Sequence, residues 1–306
     1  MIDLKVDLRT LGWPEFVDQT APFSIALDGF VRGGPQFDPQ GPRSSFNHHE
    51  DVDRLATRST CAQVLMSLRL GLFGRFRDVD GPRATVYVND CDEDVCTSWT
   101  LLKHHFLAEG TMNPILNRLV AMEDALDCTA GAYPFPKDLP ALQELAWVFE
   151  PYRQFRSSGQ LDRKDPKAYG CVISDVEHRI LQHIAGEGKS IPLDTRYNRI
   201  GGGKGWALVE EQGAQARTGM LSDGVRLFVS MRTRPDEKTT YVVGRMDPFL
   251  PFDLVRLTQK LNELEGNPED PWGGGATIIG SPRKLGSKLG IDAITFLIHE
   301  EMNRIL

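Results

Sequence analysis

Three aspartates at every second position, Asp90, Asp92 and Asp94, follow the β-favouring run Val86-Tyr87-Val88 and precede a helix-like stretch with Trp99, Leu101 and Leu102. In extended chain, alternate side chains point to one side. The three carboxylates can then converge at the end of a buried strand. Unscreened, they would raise one another's pKa values. A bound divalent cation relieves that repulsion, because hard cations prefer oxygen ligands. The alternative is an acidic loop open to water. An EF-hand loop does not fit: it needs Gly at its sixth position and Glu at its twelfth, where Val95 and Leu101 stand.

Further groups could join this chemistry. Phe23–Leu27 reads as a short buried strand ending at Asp28-Gly29. An acid at a strand end is a common ligand position in open α/β sheets, and equally a turn former before Gly. His48 and His49 follow Phe46-Asn47. Neutral imidazole suits manganese-like or zinc-like ions, so one ring could bind metal and the other touch phosphate. A histidine pair alone is also an ordinary solvated loop, and this pair gains weight from Asp28 and the aspartate triplet. Asp124 and Asp127, three apart on a helical pattern, can share a face. One is a candidate ligand, and an acidic helix end is the alternative. Thr57, Ser59 and Thr60 are capping types at a helix start that also favours phosphate. His104 and His105 read as structural or exposed, since helix neighbours face different ways.

The elements that must position these groups come from the rest of the chain. Its 306 residues suffice for two domains. Apolar residues at 41% and charged ones at 25% are ordinary for a globular protein. A net charge of -7 speaks against a generally basic nucleic-acid surface and favours small or short phosphorylated ligands over long polymers. Five scattered cysteines without a Cys-x-x-Cys pair suggest reduced thiols in a cytoplasmic protein. The N-terminus lacks a signal-peptide pattern, and no apolar run approaches bilayer length, so no membrane partner is expected. Helical patterns cover Leu55–Phe76, Leu116–Ala125, Ala141–Phe155 and Val172–Ile184. Pro134, Pro136 and Pro140 mark one break, and Gly186, Gly188 and Pro192 a second. Beyond it, Trp206–Glu211, Arg217–Leu221, Arg226–Arg234 and Thr239–Met246 read as strands, and Phe252–Leu264 and Asp292–Leu306 as helices. Gly273-Gly274-Gly275 and Gly201-Gly202-Gly203-Lys204 read as loops whose backbone N–H groups can approach an anion. Neither has the spacing of a nucleoside-triphosphate loop.

Taken together, these stretches resemble the DHH phosphoesterase superfamily. Asn89-Asp90-Cys91-Asp92-Glu93-Asp94 is similar to its first motif in the RecJ-like form. Asp28 resembles the second motif, Asn47-His48-His49 the Asp-His-His signature, and Trp272–Gly280 the glycine-rich substrate loop of the DHH-associated domain. Asn47 stands where the signature has an acid, and the loop lacks the family's His. The triplet follows the histidines instead of preceding them, an order that a circular permutation would produce. The resemblance implies an α/β fold: a mainly parallel sheet flanked by helices, DHH-like and permuted, plus a smaller α/β C-terminal domain. The expected bounds are 1–140 for the catalytic domain, 141–190 for a helical connector and 191–306 for the substrate-binding domain. It implies two Mn2+ (or Mg2+) ions held by Asp28, His48, Asp90, Asp92, Asp94 and Asp127, with Asp124 the fallback for the last. His49 and Asp92 are the implied catalytic residues. Lys204, Gly273, Gly274, Gly275 and Arg283 would grip a phosphorylated small molecule or short nucleic acid in an interdomain cleft. The implied activity is phosphoester hydrolysis. A non-catalytic nucleotide or nucleic-acid binder with a degenerate site is the second reading, and an interaction scaffold the third.

Overall fold

A computed structural model describes residues 1–109, 113–131, 133–233, 238–247, 249–275 and 277–305, which divide into two units. The first comprises Met1–Cys128 and Pro140–Pro192, and the second Thr129–Leu139 and Leu193–Leu306.

In the first unit, the five strands of the main sheet and the α-helices follow in chain order, a two-residue hairpin pair at Arg77–Asp78 and Gly81–Pro82 aside: β1 (Ile2–Val6), α1 (Trp13–Gln19), β2 (Ser24–Leu27), β3 (Gln36–Asp38), β4 (Arg43–Phe46), α2 (Thr60–Arg69), α3 (Leu72–Arg75), β5 (Ala84–Val88), α4 (Glu93–Lys103), α5 (Pro114–Cys128), α6 (Pro140–Val148), α7 (Glu150–Ser157) and α8 (Pro166–Ile184). The sheet runs β1-β5-β2-β4-β3, parallel except for the edge strand β3. Ile25, Leu27, Val86 and Val88 are buried. Such continuous apolar runs are what a parallel sheet covered on both faces requires. Phe16, Phe30 and Tyr87 pack edge-on or tilted over one face. The segment 141–190, expected as a connector, folds with this unit as part of Pro140–Pro192: Glu177 on α8 accepts hydrogen bonds from Trp99 Nε1 (2.8 Å), Lys103 Nζ (3.1 Å) and the His104 ring of the α4 end. His104 is thus structural.

Two helices expected to be continuous are broken. Ser59 caps α2, its side chain accepting from Ala62 N, and Gly71 at φ 92° separates α2 from α3. Pro151, second in α7, cannot donate to a carbonyl one turn back, so α6 ends at Val148 and α7 begins afresh.

The second unit adds β6 (Tyr197–Gly203), β7 (Trp206–Glu211), α9 (Ala216–Ser222), β8 (Leu227–Thr233), β9 (Thr239–Arg245), α10 (Leu254–Glu265), β10 (Gly273–Gly274), β11 (Ile278–Gly280) and α11 (Ile291–Asn303). Its sheet order is β10-β11-β9-β8-β7-β6. Among the described residues of this sheet, only β7 and β8 are parallel neighbours. Parallel neighbours need a crossover, which is why Arg217–Leu221 is part of a helix and not the expected strand. Both glycine runs belong to paired strands and not to open loops. Gly201–Gly203 pairs with Trp206–Leu208, leaving Lys204-Gly205 as the turn. A Cβ on Gly202 would meet Trp206 O at 2.6 Å, and one on Gly274 would collide with Ile278 O. Ala276, Arg234 and Leu306, the ends or interior of expected elements, lie outside the described residues. Both units are thus mixed α/β. Among the described residues, no helix is long and apolar enough to cross a membrane.

Candidate metal centre

Three neighbouring parallel strands carry the site at their C-terminal ends. Leu27 pairs with Phe46, and Ala26 with Tyr87, so Asp28, Asn47-His48-His49 and the Asn89–Asp94 corner emerge side by side. That edge is where open α/β sheets bind ligands. Helix α5 adds Asp124 and Asp127 from its last turns.

The fully buried His48 is the hub. Its Nε2 lies 2.6 Å from Asp127 Oδ2, 3.6 Å from Asp28 Oδ1 and 3.8 Å from Asp94 Oδ2. Despite these distances, His48 Nε2 and Asp127 Oδ2 have no hydrogen-bond partner. Buried polar atoms are normally paired. Atoms aimed at a common point without bonding one another are what ligands around an ion look like: at about 2.1 Å from a metal, adjacent ligand atoms sit about 3 Å apart. Three carboxylates and one imidazole fit a hard or borderline divalent ion. Two overlapping groups could hold one, Asp28-His48-His49 and His48-Asp94-Asp127.

Each candidate ligand is held from behind. Asp94 accepts from Thr60 N (2.6 Å) and Cys61 N (2.7 Å), at the positive end of α2. Asp28 accepts from Thr60 Oγ1 (2.9 Å) and lies 2.9 Å from His49 Nε2. It occupies the left-handed region, φ 46°, a strained conformation that Asp tolerates better than most residues. Arg54 Nη2 donates to Asp127 Oδ1 (3.2 Å) and to the Asp127 carbonyl (2.9 Å). Such outer contacts orient ligands.

The electrostatics record crowded charge. Burial, then the charges of Asp127 and Asp28, push Asp94 well above the usual carboxylate range. Burial, then Asp28, Asp90 and Asp127, do the same to Asp92. Burial also raises Asp28, but His49, His48 and the Thr60 hydroxyl outweigh it and hold the carboxyl below its ordinary value. His49 is pulled down by burial, yet the Asp28 charge and hydrogen bond raise it overall. These two form an ion pair at the edge of the cluster, with the His49 side chain 32% exposed.

Of the residues named from sequence, Asp28, His48, His49, Asp94 and Asp127 come together. The triplet does not act as one face of extended chain. β5 stops at Val88; Asp92 is the N-cap of α4, accepting from Val95 N at 2.9 Å, and Asp94 lies in its first turn. Asp90 Oδ1 accepts from the adjacent Cys91 N. Asp92 remains close enough for Asp28 and Asp127 to raise it. Asp124 instead takes Ser59 N (2.7 Å) and Arg58, leaving Asp127 for the cluster. Lys204, Gly273, Gly274, Gly275 and Arg283 are exposed on the second unit. Three participants were not named from sequence, Arg54, Cys128 and Glu123, and Thr60 was named only as a capping type at a helix start that favours phosphate. Glu123 is buried, its Oε2 lacks a partner, and burial followed by Glu93 and Asp127 raises it well above the ordinary range. Its spacing, one helical turn before Asp127, was the available signal.

No protein-family model matches the chain, and no curated protein matches it. Among solved structures, the chain is similar to the crystal structure of an uncharacterized protein from Helicobacter pylori G27. The identity is 11%, over 92% of this chain and 99% of that one, with a TM-score of 0.20. A likeness at that level carries no argument about fold or function.

Proposed function

We propose that the protein is a metal-dependent phosphoesterase acting on a phosphorylated small molecule or a short nucleic acid. The observation that carries the metal part is the buried, unbonded His48 Nε2 among Asp28, Asp94 and Asp127. Asp28, His48, Asp94 and Asp127 would hold the ion, with Asp92 beside them. The oxygen-rich donor set with one imidazole suits Mn2+ or Mg2+. The choice of phosphoester rests on the likeness of the assembled motifs to the DHH superfamily, in permuted order, and on the adjacency of β2 and β5, which brings the second and first motifs together.

A divalent ion bound there would stabilise phosphoryl charge and supply a nucleophile from water at neutral pH. The chain's own contribution is positional. His49, paired with Asp28 and partly exposed, would donate a hydrogen bond to a phosphoryl oxygen or a proton to the leaving oxygen. Thr60 and the α2 N-terminus keep Asp28 and Asp94 aimed at the cluster.

The test is hydrolysis of nucleotides and labelled single-stranded oligonucleotides by chelated protein, with and without added Mn2+. Turnover should appear only with metal. His48→Gln and Asp94→Asn should each lower it at least about 100-fold while keeping a native circular-dichroism spectrum. Turnover that survives chelation would sink the assignment. Tight binding of a nucleotide with no turnover under Mg2+, Mn2+ or Zn2+ would make the protein a binder with a degenerate site.

A further inference from the structure

The other ring nitrogen of His48 has a single hydrogen-bond contact among the described residues: Nδ1 lies 3.9 Å from Cys128 Sγ. The sulfur is in turn 3.2 Å from the Thr57 carbonyl and 3.6 Å from Asp124 Oδ1. Carbonyl and carboxylate oxygens are acceptors only. The one S–H therefore goes to Thr57 O or Asp124, and a sulfur lone pair is left for His48. A neutral imidazole carries one N–H. With Nε2 given to a metal among Asp28, Asp94 and Asp127, as proposed above, that proton sits on Nδ1, where sulfur is the acceptor within reach. A metal-bound histidine usually has its second nitrogen anchored by a carboxylate or carbonyl. Here a thiol occupies that place.

We propose that Cys128 is a positioning residue that accepts the Nδ1 proton of His48 and so keeps Nε2 free and aimed into the carboxylate cluster. This rests on the metal-centre reading above. Cys128 is not itself a ligand: its sulfur lies on the Nδ1 side of the ring, away from the cluster. Because Cys128 follows Asp127 directly, one helix terminus places a ligand and the support of another ligand together.

The experiment uses the full-length chain and three variants. Cys128→Ser keeps an acceptor, Cys128→Val keeps the volume without one, and Cys128→Ala replaces Val if that variant does not fold, judged by thermal unfolding in chelator. Zn2+ affinity is measured by competition with a chromogenic chelator. Exchange of the His48 Nδ1 proton is followed by 15N-edited NMR on Zn2+-loaded protein. Cys128→Val should weaken Zn2+ binding about 10-fold or more and speed Nδ1 proton exchange, while Cys128→Ser stays within about threefold of the parent. Equal affinity in Cys128→Val and the parent overturns the proposal. So does equal weakening in the Ser and Val variants, which would mean packing alone. If the parent protein binds no Zn2+, the metal-centre reading fails before any variant is compared.

Discussion

Asn47 stands where an acid is expected beside the histidine pair. Its environment accounts for the exchange. The side chain is fully buried; Nδ2 donates to the Val31 carbonyl (3.1 Å) and the Gly33 carbonyl (2.8 Å), and Oδ1 accepts from His49 N (3.1 Å). A carboxylate can serve only the last of these contacts. It would turn an acceptor oxygen on two carbonyls and leave them buried without donors. Asn47 therefore fixes the 31–33 loop and the direction of His49. Asn47→Asp should destabilise the chelated protein by about 3 kcal/mol and bring no gain in metal affinity. Urea unfolding and a metal titration measure the two. An aspartate variant as stable as the parent, or one that binds metal more tightly, would return Asn47 to the ligand set. The exchange was visible in the sequence, but its meaning was not, because residue type does not say which carbonyls an amide will face.

At the scale of elements, the site depends on where two helices begin and one ends. The N-termini of α2 and α4 both meet the aspartates. Asp94 takes two backbone N–H groups of α2, while Asp92 caps α4. The sequence showed the acidic spacing and the strand before it. It did not show that the chain turns helical at Glu93, which converts an alternating pattern into a capping one. The same holds for the end of α5. Asp124 and Asp127 are about 60° apart around a helix of 3.6 residues per turn, and that difference sends one to Ser59 N and the other to His48. Asp124→Ala should cost about 1 kcal/mol through the lost α2 contact and leave metal affinity intact. Asp127→Asn should weaken metal binding at least about 10-fold. Parallel metal titrations and thermal melts separate the roles. A reversed result would reassign the ligand to Asp124.

For the whole molecule, two α/β units were legible because apolar runs and glycine turns recur at strand and hairpin spacings. The attachment of 140–192 to the first unit was not, because Glu177 reads as an ordinary surface acid until α4 is packed against it. Nor was the net effect of so many carboxylates in one place, which governs how folding responds to pH. Asp92, Asp94 and Glu123 hold their protons more tightly folded than unfolded. From the ordinary carboxyl values of 3.8 for Asp and 4.5 for Glu upward, the folded state then binds more protons, and stability falls as pH rises. His49, raised above 6.5, contributes stability that is present below that value and is lost as pH climbs through its folded value. Asp28, lowered, contributes stability that is lost only as pH falls below 3.8, so it is constant over the neutral range. Within the cluster, all terms that change between pH 5 and pH 8 have one sign; His183 outside it, lowered by burial, is the single group opposing them among the described residues. Chelated protein should lose stability across that interval, by about 1.4 kcal/mol per pH unit for each group still holding its extra proton. A bound cation replaces those protons and binds more tightly as the ligands ionise, so the stabilisation by Mn2+ should grow from pH 5 to pH 8. Thermal melts at pH 5, 6.5 and 8, with chelator and with Mn2+, test both statements. A chelated protein that grows more stable with pH would show that the carboxylates are not crowded in solution. An effect of Mn2+ that is the same at pH 5 and pH 8 would show that they do not bind it.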